Sequence, residues 1–149
     1  MMNFKSTNLT IVMSDFNISI TSSMKVAAVD HFLSVGGENT NIKIINVPGA
    51  FEIPGAVSRV IKKGNADIIV TIGCVIEGET PHFDYIATET TRAIMNMIVK
   101  HNIPIGFGIL TTNNMQQALE RSKDDDSNKG KEAMVAALEM YSIYNEINS

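Results

Sequence analysis

Residues 66–76, ADIIVTIGCVI, are apolar almost without a break. A strand with one face in water alternates polar and apolar residues, and this run does not, so both of its faces must be covered. Parallel sheets achieve this, because each crossover between parallel strands lays a helix on one face. The run therefore favours an α/β domain over an antiparallel sandwich or a helical bundle.

The neighbouring segments agree. LTIVMS (9–14) is short, apolar and rich in β-formers, NIKIINV (41–47) alternates like a strand exposed on one face, and IPIGFGILT (103–111) supplies a fourth strand. Between them, Met24, Ala27, Ala28, Val29, Phe32 and Leu33 recur at helical spacing before Gly36-Gly37. Val57, Val60 and Ile61 share a helix face that ends in lysines and Gly64. Residues 81–101 form a long amphipathic pattern, and NNMQQALERS predicts a short helix capped by Asn113 with Gln116 three residues on. A last helix presents Met134, Ala137, Leu138 and Tyr141 along one side. Neither repeats nor low-complexity tracts interrupt the alternation. The expected fold is a flavodoxin-like three-layer sandwich with a four-stranded parallel sheet, one domain over 1–149, residues 1–8 forming an extended N-terminal arm.

Bulk properties narrow the function classes. The 149 residues suffice for one core, and the formal charge of −4 argues against a nucleic-acid binder, which carries a basic stripe. No run reaches the length of a membrane span, and MMNFKSTNLT has no apolar stretch typical of a secretory signal. The single cysteine, Cys74, lies in the most apolar strand and fits a reducing, cytoplasmic setting as an inert thiol. His31, His82 and His101 fall on separate segments without a metal-ligand neighbour, and neither GxGxxG nor a Walker loop is present, so no metal or nucleotide cofactor is indicated.

Ligands of doubly wound sheets bind outside the carboxyl ends of the strands. The segments there are SDFN, PGAFEIP, EGETPH and TTNN. Phe16 and Phe51 are loop aromatics, suited either to lidding the core or to stacking on a planar heterocycle. Glu52 either complements a helix dipole or accepts from ligand hydroxyls. In EGETPHFDY, Thr80 is expected as an N-cap, Pro81 at the first helical position and His82 in the first turn. The positive end of the helix disfavours a second positive charge there, which suits an uncharged ring that accepts a proton. The N–H groups of Gly78, Glu79 and Thr80 would be left free to cradle an anion. Arg121 and Lys129 flank one loop and could converge on a phosphate, while Asp124 to Asp126 between them read as a solvated charge run.

Five motifs in order, DFN (15–17), VPGAFEIP (47–54), GCVIEGETPHFDYIA (73–87), IPIGFGILTTNNMQQALER (103–121) and NKGKEA (128–133), resemble the lumazine synthases of riboflavin biosynthesis, from about residue 8 to 145. The resemblance implies condensation of 5-amino-6-(D-ribitylamino)uracil with 3,4-dihydroxy-2-butanone 4-phosphate, without metal or organic cofactor. It also implies roles. Phe16 stacks on the pyrimidine, Gly49, Ala50, Phe51 and Glu52 hold the ribityl chain, and the backbones of Val75 and Ile76 read the uracil edge. Glu79 and Thr80 form the phosphate turn, His82 transfers protons, Phe107 closes the pocket from a neighbouring subunit, Arg121 of the adjoining protomer binds the phosphate, and Lys129 lies near it as a substrate-binding residue. The implied assembly is a homopentamer, with a sixty-subunit icosahedral shell as its larger form and riboflavin synthase as a partner enzyme. The chain departs from the family at Asp15 and Glu77, where arginine is usual, and in the aspartate-rich loop SKDDDSNKG. A non-catalytic assembly protein that binds a flavin, and a generic mononucleotide binder, are the competing readings. The missing Gly-rich loop counts against the latter.

Overall fold

The structure, a computed structural model, describes residues 2–149. Its sheet contains β1 (Leu9–Ser14), β2 (Ile42–Val47), β3 (Ile68–Ile76) and β4 (Ile105–Thr112), all parallel, in the order β2-β1-β3-β4. Leu9 stands opposite both Ile42 and Ile68, and Gly108 opposite Ile72. β1 is buried along its whole length, and β3 from Ile68 to Cys74, as the unbroken apolar run requires.

Helices cover both faces. Ile11, Met13, Val70 and Ile72 pack with α1 (Ile18–Ser34) and α5 (Lys129–Asn148). Val12, Ile69 and Ile109 pack on the other face with α2 (Ile53–Lys63) and α3 (His82–His101). Sheet order reverses between β1 and β3, so the space outside their carboxyl ends is open to a ligand. Ahead of β1, Phe4 is buried with its ring 6.3 Å from that of Tyr141 on α5. Among the described residues no helix is long and apolar enough to cross a membrane.

Two glycines set how closely α5 can lie. A Cβ at Gly106 would strike the Ala133 carbonyl, and one at Gly130 would strike the Met24 carbonyl of α1. Small residues at these crossings bring the start of α5 against β4 and α1, which places Lys129 at the sheet's edge.

Two helix starts differ by one residue from the sequence expectation. α4 (Met115–Arg121) is capped by Asn114, whose Oδ1 accepts from Gln117 N–H at 2.9 Å; Gln117 Oε1 in turn accepts from Asn113 N–H at 2.8 Å. The adjacent asparagines and glutamines give two overlapping capping patterns, and the later one wins because Thr112 still belongs to β4. α3 begins at His82 with Pro81, not Thr80, at the N-cap. Thr80 Oγ1 still accepts from His82 N–H, at 3.5 Å.

Candidate active site

The strand-end segments converge on two clefts, not one. The first, about 580 Å³, lies at the switch point. The β1–α1 loop brings Phe16, whose N–H donates to Pro48 O at 3.0 Å, and its ring is 70 % exposed. Asp15 beside it donates N–H to Val47 O at 2.8 Å, and its Oδ1 accepts from Asn46 Nδ2 at 2.7 Å, so this carboxylate is held at the end of β2. Gly49, Ala50, Phe51 and Glu52 also line the cleft, as an extended residue followed by a single 3-10 turn into α2. Phe51 is exposed, and the Glu52 carboxylate sits over the bare α-carbon of Gly49, 3.2 Å from where a Cβ would be. Two aromatic rings left in solvent along one cleft offer faces for a planar ring to stack on, since burying such a face against a ligand is favourable.

The floor is the end of β3. Cys74, Val75 and Ile76 line it, with Val75 and Ile76 half-buried. Burial pushes the Cys74 thiol up to about 11, so it stays protonated and unreactive near neutral pH. Thr80 and His82 close the rim, and His82 is exposed to the cleft at the first residue of α3. The N–H groups of Gly78, Glu79 and Thr80 meet no acceptor among the described residues, which leaves this turn free to receive an anion. Gly78 and Thr80 line the cleft; Glu79 lies between them, exposed, and lines neither cleft.

The second cleft, about 400 Å³, runs beside the free edge of β4. Phe107, Arg121 and Lys129 line it, so the expected phosphate cations do not share a cavity with His82 on the same chain. Arg121 is exposed and donates Nη1–H to Gln117 O at 3.0 Å. Lys129 Nζ is paired with Glu132 Oε2 at 2.7 Å, both side chains being nearly half exposed. Behind Lys129, the buried Asn128 caps α5: its Oδ1 accepts from Gly130 and Lys131 N–H at 2.8 and 3.2 Å, and its Nδ2 donates to Lys123 O at 2.9 Å. Asn128 thereby joins the aspartate-rich loop to the helix that carries Lys129.

Sequence reasoning missed Phe83 and Ile86 in the first cleft and Glu132 in the second. Phe83 and Ile86 were findable: three residues apart, they share the face of α3 that starts at His82. Glu132 gave no signal beyond its i,i+3 spacing from Lys129.

These features define a doubly wound, parallel α/β protein with an aromatic-lined cleft at its switch point and a cation-bearing cleft at its sheet edge. The model of the 6,7-dimethyl-8-ribityllumazine synthase family matches residues 6–145. A protein of that name from Nautilia profundicola is 47% identical over 139 residues, covering 93% of this chain and 90% of its own. One from Campylobacter jejuni is 44% identical over 141 residues, covering 95% and 92%. The chain belongs to the 6,7-dimethyl-8-ribityllumazine synthase family.

Proposed function

We propose that the protein condenses 5-amino-6-(D-ribitylamino)uracil with 3,4-dihydroxy-2-butanone 4-phosphate to give 6,7-dimethyl-8-ribityllumazine, phosphate and water, a step of riboflavin biosynthesis. One observation carries this reading: each chain bears two complementary half-sites, aromatics with an imidazole in one and two cations in the other. Neither half suffices for a reaction between a planar amine and a phosphorylated ketone. Two copies placed with the β4 edge of one over the switch point of the next would complete the site, and a homopentameric ring is the assembly we infer.

In the joined site Phe16 stacks on the pyrimidine, and the backbones of Val75 and Ile76 read its edge. Phe51 and Glu52, with Gly49 and Ala50, hold the ribityl chain, Glu52 accepting from its hydroxyls. Phe107 of the adjoining copy closes the slot. Its Arg121 and Lys129, together with the Glu79–Thr80 turn, hold the phosphate. The amine attacks the ketone and water leaves as the imine forms. A proton leaves the carbon next to the imine and phosphate departs from its neighbour, its growing charge met by the two cations; the resulting enol takes up a proton on carbon to become a methyl ketone. The ribityl nitrogen closes the ring and expels a second water. His82 moves the protons between nitrogen, carbon and oxygen atoms in these steps. Holding both substrates in one cleft supplies most of the acceleration, since the chemistry is otherwise that of amines and ketones in water.

Mixing the two substrates with purified protein tests the reading. Phosphate and a fluorescent lumazine should form together, and His82→Ala should slow this by about 10²-fold while leaving residual turnover. Phosphate release no faster than in buffer would refute it.

A further inference from the structure

We propose that Asn17 is a positioning residue, fixing the Phe16 ring over the cleft by tying the β1–α1 loop to the end of β3. This rests on the first cleft being the pyrimidine site. The β1–β3 ladder stops at the Met13–Ile72 pair. Two residues further along β3 the Cys74 carbonyl faces the loop, and the Asn17 amide donates Nδ2–H to it at 3.0 Å. This side-chain bond continues the ladder where the backbone of β1 has turned away, and it crosses the switch point itself.

The loop is anchored on its other side too, through Asp15 and Phe16 N–H to the carbonyls of Val47 and Pro48 at the end of β2. Phe16 therefore lies between one anchor on β2 and one on β3. Its ring, 70 % exposed, has little packing of its own to hold it. Val75 and Ile76, the cleft floor, directly follow the carbonyl that Asn17 grips, so one hydrogen bond sets the platform against the floor.

The backbone explains why asparagine is needed. Asn17 sits in the left-handed region, φ 60 and ψ 46. Glycine, asparagine and aspartate tolerate this conformation, and of these only asparagine adds a donor. Although it occupies the N-cap of α1, its side chain makes no capping bond to the helix; the amide is committed to Cys74.

The test compares the wild-type protein with Asn17→Gly, which keeps the left-handed backbone but lacks the amide, and Asn17→Asp, which keeps the shape but donates nothing. Both variants should raise KM for the ribitylaminouracil by on the order of tenfold, with KM for the butanone phosphate within about twofold, since looseness here displaces one substrate only. Amide hydrogen exchange at Phe16 should also accelerate in Asn17→Gly while exchange in β3 is unchanged. Wild-type KM values, or a rise in both KM values in step with a fall in melting temperature, would overturn the proposal. Unchanged exchange at Phe16 would overturn it independently of catalysis. A wild-type protein that makes no lumazine would sink the assigned reaction instead, leaving the exchange measurement to judge the tie.

Discussion

On the proposed reaction, Lys129 meets its phosphate already engaged. Its Nζ lies 2.7 Å from Glu132 Oε2 within the first turn of α5, so an incoming phosphate must displace a carboxylate from the same ammonium. Glu132→Gln removes that competitor without shortening the side chain. The pair is nearly half exposed, 42% and 49%, which puts its worth in the range of surface ion pairs, roughly 0.2–1 kcal/mol. Releasing it should tighten phosphate binding by about 1.4- to 5-fold, more at low salt than at high. The same change removes an acidic residue from the positive end of α5, which should cost about 0.3–1 kcal/mol of stability. Tighter phosphate and a slightly weaker fold is a combination of opposite signs that a general structural defect would not produce. Competitive inhibition by inorganic phosphate against the butanone phosphate, at low and high salt, measures the first effect, and urea unfolding the second. If Glu132→Gln binds phosphate more weakly, the carboxylate aims Lys129 instead of competing for it, and the reasoning fails.

Other outcomes follow from the same structure. Asn128→Ala removes the cap of α5 and strands the Lys123 carbonyl, which should cost about 2 kcal/mol, lower the melting temperature by roughly 4–8 °C and loosen phosphate binding through Lys129. Burial, and then the charge of Lys131, lower the basicity of His31 from its ordinary 6.5, so the unfolded chain takes up that proton more readily than the folded one. His31 therefore costs no stability well above pH 6.5, and stability declines as pH falls below it until the folded ring is protonated too. His31→Asn should flatten that part of a pH series of urea unfolding. Acid loss through Asp125 and Asp126 belongs to a separate window below 3.8, because Ser127 and Lys131 respectively hold those carboxyls low.

Much of this was legible because period and composition report burial. An unbroken apolar β3 requires cover on both faces, and the helical spacing of Met24, Ala28 and Phe32 supplies it on one of them. Loop aromatics and the histidine were legible because strand ends in a doubly wound sheet are where ligands bind. What periodicity does not encode is side-chain reach. Asn113 and Asn114 are equivalent as cap candidates until the end of β4 is known. Asn17 gripping Cys74, fifty-seven residues away, leaves no local trace. Nor does spacing reveal that Arg121 and Lys129 occupy a different cavity from His82, since that depends on which edge of the sheet β4 takes.

The central claim is that a working site is assembled from two chains. Co-expressing a Phe16→Ala, His82→Ala chain with an Arg121→Ala chain under separate affinity tags, and isolating particles that carry both, tests it most directly. Each chain alone should be nearly inactive. In the mixed particles about a quarter of the junctions pair an intact switch-point cleft with an intact cationic edge, so about a quarter of wild-type activity should return. Mixed particles no more active than either variant alone would contradict it.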